Sequence, residues 1–313
     1  MRRSAVIRSF PSGTLRLGTR ASTLARWQTQ AVRQRLASLH SDLSCKEVVL
    51  RTQGDQDVST PLPVMGGRGV FTDALEQALL DGRIDLAVHS LKDVPVDPTP
   101  GLTLVALCLR EDPRDAMVSA RGYTLATLPQ GGVVGTCSLR RSAQLLALRP
   151  DLQLAPLRGN VDTRVRHAAE GKFAAIVLAA AGLKRLGLAS QISELIDPGL
   201  ILPAPGQGAL AIQCRAEDAR TLALVSPLDD PAVRQETEAE RAFLAGLGGG
   251  CAAPIAALGR VDGPQLRLVG LVASEDGRQL LHLEGTAPRA EAVTLGHDLA
   301  RQAVHRGAGA LLI

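Results

Sequence analysis

Aromatic side chains are almost missing: one Trp, one Tyr and four Phe, 2% of 313 residues. Proteins that hold single-stranded nucleic acid stack its bases on aromatic rings. With so few rings and no recognisable nucleic-acid-binding motif, a net charge of +4 and a pI near 9.0 do not make this chain a nucleic-acid binder. They suit a small acidic ligand. Cysteine is scarce too. Cys45, Cys108, Cys137, Cys214 and Cys251 are odd in number and no two stand at CxxC spacing. That is neither a disulfide framework nor a zinc pattern, and it points to a reduced, cytoplasmic compartment. No apolar run reaches the roughly 18 residues of a membrane span, so no membrane partner is expected. The basic start, Met1-Arg2-Arg3-Ser4-Ala5-Val6-Ile7-Arg8, lacks the apolar region that a secretory leader needs, and residues 1–13 read as a frayed tail.

Hydrophobic residues are plentiful at 45%, and the cores must be built from Leu, Val, Ala and Ile. The length suits two or three domains. Leu15–Thr19 alternates as a strand. Ser22 is placed to cap a helix over Thr23–Leu39, with Leu24, Trp27, Val32 and Leu36 as apolar anchors. The pattern then predicts a strand over Lys46–Arg51, a helix over Phe71–Leu80 stopped by Asp81-Gly82, and a strand over Ile84–Val88. The order recurs as strand Gly132–Thr136, helix Leu139–Leu148, strand Leu152–Leu157, helix Val161–Ala169 and strand Phe173–Leu178. Gly18-Thr19-Arg20-Ala21-Ser22 matches Gly135-Thr136-Cys137-Ser138, Asp81-Gly82-Arg83-Ile84 matches Glu170-Gly171-Lys172-Phe173, and Leu91-Lys92 matches Leu183-Lys184. Any two α/β domains share a strand–turn–helix rhythm. The matched order and spacing predict more, namely two like-folded lobes.

Leu202–Gly208 reads as a linker, and the apolar run Ala209–Cys214 as a strand able to return to the first lobe. Asp230-Pro231 signals a helix start, for a helix reaching about Leu244. Ile255–Val261, Leu266–Ala273 and Gln279–Glu284 are joined by short turns and read as an antiparallel meander, closed by an amphipathic helix over Ala290–Val304. The expected fold class is α/β, with two mixed-sheet lobes and a small C-terminal α+β domain. Lobe 1 would span 14–108 and 209–228, lobe 2 109–208, and the α+β domain 229–313.

Gly248-Gly249-Gly250-Cys251-Ala252-Ala253-Pro254 sets a cysteine among glycines and small residues. Such flanks let another group approach the sulfur, so the loop could seat a covalently held group. The commoner fate of a cysteine is to be buried and packed as a small hydrophobe. In open α/β sheets ligands bind beyond the carboxyl ends of strands. There the sequence puts Arg20 and Ser22; Ser90, Lys92 and Asp93; Thr136, Ser138, Arg140 and Arg141; Arg158, with Arg164 early in the next helix; and Lys184 and Arg185. Helix N-termini at Ser22 and Ser138 add free N–H groups, and the planar fork of arginine bonds both oxygens of a carboxylate. Each arginine alone is ordinarily a solvated charge, and Arg140 and Arg141 would point apart as helix neighbours. Their coincidence at strand ends suggests a cleft for a crowded anion. Asp93 is either an ion-pair partner for these cations or a carboxylate aimed at ligand N–H groups and developing positive charge. His89 alternates with Ser90 and reads as a packing residue.

Seven runs, in this order, resemble the porphobilinogen deaminase (hydroxymethylbilane synthase) family: Gly66-Gly67-Arg68-Gly69-Val70-Phe71, Val88-His89-Ser90-Leu91-Lys92-Asp93-Val94-Pro95, Arg110-Glu111-Asp112-Pro113-Arg114-Asp115, Gly135-Thr136-Cys137-Ser138-Leu139-Arg140-Arg141, Leu157-Arg158-Gly159-Asn160-Val161, Ala181-Gly182-Leu183-Lys184-Arg185-Leu186-Gly187 and Pro205-Gly206-Gln207-Gly208. The resemblance covers about 14–313. It implies two lobes like those of periplasmic binding proteins plus a small α+β domain. It also implies a monomeric transferase that joins four porphobilinogen units head to tail, releasing ammonia, to give hydroxymethylbilane for tetrapyrrole synthesis. A dipyrromethane cofactor made from the substrate would be held by a thioether to Cys251.

By that resemblance Ser90, Lys92, Thr136, Ser138, Arg140 and Arg141 would hold the cofactor. Arg20, Ser22, Gln28, Arg158, Arg164, Arg185 and Gln207 would hold the incoming unit or growing chain. Asp93 would bond pyrrole N–H groups and stabilise the azafulvene cation left as ammonia departs. Arg68 and Phe71 would belong to a lid. Three positions depart from the family pattern: Val64 stands where some members have lysine, Arg68 where lysine is common, and Cys137 where serine is frequent. Two rivals remain. A two-lobed solute-binding protein would share the lobes but need no Cys251 loop and would carry an export signal. A nucleic-acid binder would want aromatics.

Overall fold

The computed structural model describes residues 13–52, 54, 69–250 and 253–312. The tail at 1–12, Val64, Arg68 and Cys251 lie outside the described residues. Three sheets organise the rest. In the first, Cys45–Leu50 (β2), Leu15–Arg20 (β1) and Leu86–Ser90 (β3) run parallel. Leu210–Arg215 (β10) and Leu102–Cys108 (β4) extend it by antiparallel pairs, in the order β2-β1-β3-β10-β4. In the second, Gln153–Ala155 (β7), Val133–Gly135 (β6) and Ala175–Ala179 (β8) are parallel, and Asp115–Val118 (β5) and Glu194–Leu195 (β9) follow antiparallel, in the order β7-β6-β8-β5-β9. Order and directions agree strand for strand, so the chain forms two like-folded lobes. Each lobe takes its fourth strand from across the divide. The strand β5 follows the first lobe in sequence and β10 follows the second, so two crossovers join the lobes.

Pairing registers correct one of the expected matches. Gly18 pairs with Ala87 in lobe 1 and Gly135 with Ile176 in lobe 2. The turn Asp81-Gly82 therefore does match Glu170-Gly171. The counterpart of Leu91-Lys92, however, is Ala180-Ala181 and not Leu183-Lys184, three residues further on.

Helix ends follow the caps. Ser22 Oγ accepts from Ala25 N (3.3 Å) at the start of Thr23–Leu39 (α1). Asp73–Leu80 (α2) starts two residues later than the pattern predicts. Ser138 Oγ accepts from Arg141 N (3.4 Å) at the start of Leu139–Leu148 (α3). Val161–Ala169 (α4), Ala180–Arg185 (α5) and Ala219–Val225 (α6) complete the lobes. The buried face of α1 is Ala25, Gln28, Thr29, Val32 and Leu36. Trp27 is 41% exposed, so the stripe lies to one side of the expected Leu24–Trp27 anchors. The helix follows its 3.6-residue period, and Gln28 is buried because its amide donates to Ser90 Oγ at 2.8 Å.

The stretch 201–209 is no surface linker. Ile201 and Leu202 are buried, Gln207 is fully buried, and Glu111 N donates to Gly208 O (3.0 Å), lacing the two crossovers together. Gly206 and Gly208 have φ of 75° and 90°. A Cβ on Gly208 would stand 2.2 Å from Glu111 O, so only glycine lets the strands approach this closely.

The third sheet is the expected meander: Ile255–Asp262 (β11), Gln265–Ala273 (β12) and Leu280–Pro288 (β13), all antiparallel. Pro231–Gly246 (α7), capped by Asp230, and Ala292–His305 (α8) share its core through Phe243, Leu266, Leu268, Leu295 and Leu299. This unit grips the crossovers by a buried cluster. Arg110 meets Glu236 (2.9 Å) and Glu240 (2.7 Å), and Glu240 also accepts from Gly206 N (2.6 Å) and Gly259 N (2.8 Å).

Candidate active site

The carboxyl ends of the central strands face a cleft of about 1360 Å³. Lobe 1 contributes Arg20, Ser22, Phe71, Ser90, Lys92 and Asp93 to its wall. Lobe 2 contributes Ser138, Arg140, Arg141, Arg158 and Arg164, and the second crossover Pro205 and Gln207. The third unit adds Gly248, Gly249, Gly250 and Ala253, the described residues on either side of the Cys251 position. Among the described residues, eight Lys and Arg side chains line the cleft against three carboxylates, Asp93, Asp97 and Asp162. Apolar surface from Val70, Phe71, Leu244 and Ile255 lies among them. Flat rings edged with carboxylates match such a lining.

The lobe 2 wall is built on a carboxylate that sequence reasoning passed over. Asp115 is fully buried on β5. Arg140 Nη1 donates to its Oδ2 (2.7 Å) and to Leu202 O (2.7 Å). Arg141 donates to its Oδ1 through Nε (3.1 Å) and Nη2 (2.7 Å), and to Val177 O through Nη1 (3.1 Å). The helix neighbours therefore converge instead of pointing apart. Burial alone would push the Asp115 carboxyl up, but Arg140 and Arg141 together hold it well below the usual carboxylate range, so it is ionised.

Lys92 and Asp93 form a single 3-10 turn directly after β3. Lys92 Nζ donates to Gln207 Oε1 (3.2 Å). Burial, followed by the Arg141 charge, pushes the ammonium down to about 8. The backbone behind Asp93 is held from the third unit, where Arg241 donates to Val94 O (2.8 Å) and Pro95 O (2.7 Å). Arg164 donates to Gly159 O (2.7 Å), and burial, then Arg141, lowers it to about 10. Arg20 lies 4.3 Å from the centre of the Phe71 ring, a cation–π contact at the cleft edge.

Three expected site residues lie behind the wall. Gln28 reaches the cleft only through Ser90. Thr136 accepts from Ser138 N (3.2 Å) and steadies the start of α3. Arg185 clasps the crossovers, donating to Leu109 O (2.9 Å) and Gly208 O (2.6 Å). Lys184, from the strand-end group, pairs with Asp112 (2.9 Å) and Glu111 (3.4 Å). His89 is a packing residue as expected. It is buried against Gln213 Oε1 (3.0 Å), and burial lowers it to about 4, so it is neutral. The cleft also holds Arg51, which follows the carboxyl end of β2 and was overlooked there, and His167 and Lys172, which no strand-end rule marks. No described helix is long and apolar enough to cross a membrane.

Comparison with known proteins shows the family. The family profile described as "Porphobilinogen deaminase, dipyromethane cofactor binding domain" matches residues 15–223, and "Porphobilinogen deaminase, C-terminal domain" matches 234–305. A porphobilinogen deaminase of Roseiflexus sp. (strain RS-1) is 51% identical over 96% of this chain and 98% of its own length. That of Syntrophotalea carbinolica is 50% identical, covering 96% of each. That of Roseiflexus castenholzii is 48% identical, covering 96% and 98%. Among solved structures, the benzoate-bound effector domain of BenM aligns with 71% of this chain and 90% of its own at 16% identity and a TM-score of 0.43, too loosely to carry weight. The chain belongs to the porphobilinogen deaminase family, and as a transferase it polymerises four porphobilinogen molecules head to tail to hydroxymethylbilane, releasing ammonia, in tetrapyrrole synthesis.

Proposed function

We propose that this cleft performs the family reaction with Asp93 as its catalytic residue and Cys251 as the thioether anchor of the dipyrromethane. The carrying observation is one cleft that joins the turn carboxylate of Asp93 to buried guanidinium groups and to the glycine loop flanking Cys251. Each ring of the cofactor bears an acetate and a propionate. The bonds described above use two of the five N–H donors of Arg140 and three of those of Arg141, so both keep donors for such groups. Ser90, Lys92, Ser138, Arg140 and Arg141 would hold the bound cofactor, with Thr136 shaping the helix start. When bound, the dipyrromethane supplies the free pyrrole carbon from which the chain grows.

Arg20, Ser22, Arg158 and Arg164 hold carboxylates of the incoming unit or growing chain, with Gln207 on the floor and Gln28 and Arg185 acting from behind. Asp93 faces the pyrrole N–H groups of the substrate and stabilises the positive charge that develops as ammonia departs. A fixed carboxylate does this without reorganising. Phe71, under Arg20, shields one edge from water, and Arg68 would extend that cover. The chain works as a cytoplasmic monomer. Its units divide near 108/109, 208/209 and 228/229, with lobe 1 completed by 209–228.

Intact mass of the purified protein tests the reading. Wild type should carry the added mass of a dipyrromethane, and Cys251→Ser should lose both that mass and turnover. A fully active wild type at its bare sequence mass would sink it.

A further inference from the structure

Three cleft residues meet on Asp115, to which the family resemblance gives no part. Besides Arg140 and Arg141, Gln207 donates Nε2 to Asp115 Oδ1 (2.9 Å). The same nitrogen donates to Pro113 O (2.7 Å). Both amide hydrogens of Gln207 thus face lobe 2, and its Oε1 faces Lys92 of lobe 1, accepting from Nζ at 3.2 Å. Gln207 is fully buried and cannot flip. The reverse orientation would set its oxygen against a carboxylate and a carbonyl. The positive-φ glycines on either side, Gly206 and Gly208, hold it inward.

We propose that Asp115 is the positioning residue of the whole carboxylate-binding wall. It orients the two guanidinium planes of lobe 2 directly and the Lys92 ammonium of lobe 1 through Gln207. The inference rests on the reading given under Proposed function. Its physical basis is simple. Two adjacent buried guanidinium groups repel each other, and without a counter-ion they would splay. Asp115 offsets one charge and fixes both planes, leaving a net single charge with donors already aimed. A ligand carboxylate then meets groups that need no rearrangement. Among the charges acting on Lys92, Arg140 and Arg141 oppose its proton and Asp93 and Asp115 favour it. Asp115 is the one of these that also bonds, through Gln207, to the same ammonium.

The test uses Asp115→Asn, which keeps the shape and removes the charge. Losing a charge-assisted bond at the wall should raise the KM for porphobilinogen by about tenfold or more, with a smaller change in kcat. The fraction of molecules carrying the dipyrromethane mass should fall as well. In the Cys251→Ser background, Lys92 should be acylated by acetic anhydride about threefold faster or more, because its amine form is no longer disfavoured by Asp115. Peptide mass spectrometry reads that rate. A merely structural Asp115 would lower the unfolding midpoint yet leave KM and Lys92 acylation of the folded fraction unchanged, which overturns the proposal. Gln207→Leu keeps the bonds from Arg140 and Arg141 to Asp115 and tests the arm that crosses the cleft even if Asp115→Asn fails to fold. Faster Lys92 acylation supports it, and an unchanged rate overturns it. If wild type itself lacks the added mass, the functional reading has failed. If wild type has it and Asp115→Asn keeps both mass and KM, only the role of Asp115 has failed.

Discussion

Lobe 1 carries Lys92 and Asp93 in the turn after β3, whereas the matching positions after β8 in lobe 2 are Ala181 and Gly182. The exchange runs the other way at the first helix of each lobe. Counted from the caps Ser22 and Ser138, lobe 2 has Arg140 and Arg141 where lobe 1 has Leu24 and Ala25. The scaffold is duplicated, but its rims are complementary and not equivalent. At these two places, where one lobe presents charge the other presents a small or apolar surface, although Arg51 after β2 is matched by Arg158 after β7. Both sides can therefore hold carboxylates, while the carboxylate of Asp93 comes from lobe 1.

The sharpest way to break this division is at Asp93. Asp93→Asn should lower kcat by about 100- to 1000-fold, the usual cost of removing a preorganised electrostatic partner, while KM changes little. Steady-state kinetics decide it, and near-normal turnover would remove Asp93 from the chemistry. The matching change in lobe 2 is Arg158→Ala. Here KM for porphobilinogen should rise about tenfold, with kcat largely kept, as expected for a lost charge-assisted bond. A drop in kcat at constant KM would mean that lobe 2 takes part in the chemical step, and the contrast between the lobes would collapse.

A third test concerns Lys92, which meets the second crossover through Gln207. Lys92 is lowered from 10.5 to about 8 by burial and then by Arg141. Its charge is present below pH 8 and lost as pH rises through that value, whereas an ordinary lysine would keep it. Cofactor uptake by cofactor-free protein with Cys251 intact, followed by intact mass, should slow by about tenfold between pH 7 and 9 as the charged fraction falls. Lys92→Arg should flatten that profile, because a guanidinium stays charged throughout. A wild-type rate constant across this range would show that the ammonium does not attract the incoming carboxylates.

The helices that frame these contrasts were legible before any coordinates. Thr23–Leu39, Leu139–Leu148 and Val161–Ala169 have the predicted bounds, because a cap or a glycine loop at the start and a chain break at the end are local signals. The strands were less so. The strand β5 has four buried residues beginning with an acid, and no alternation marks it. Leu202–Gly208 has the composition of a linker, yet its glycines serve a buried crossing. Arg51 and Lys172 aside, the cleft cations were found one at a time from strand ends. What brings them together was not, since Asp115 lies 25 residues from Arg140 and 92 from Gln207, beyond any window that a periodicity argument scans.

The smallest effect expected lies at Cys137, which the register with Gly18 and Gly135 sets opposite Arg20. Its sulfur lies exposed at the cleft edge and accepts from Leu157 N at 3.2 Å. Sulfur is a weak acceptor, so the frequent family alternative, serine, should make this bond better and stabilise the loop before Arg158 by about 0.5 kcal/mol. Urea unfolding of Cys137→Ser should show that gain, with KM within about twofold of wild type, because the hydroxyl is engaged by Leu157 and not by ligand. A tenfold fall in KM would instead place residue 137 among the groups that touch carboxylates. The match to Arg20 would then be functional as well as topological, and the two rims would be less complementary than their charges suggest.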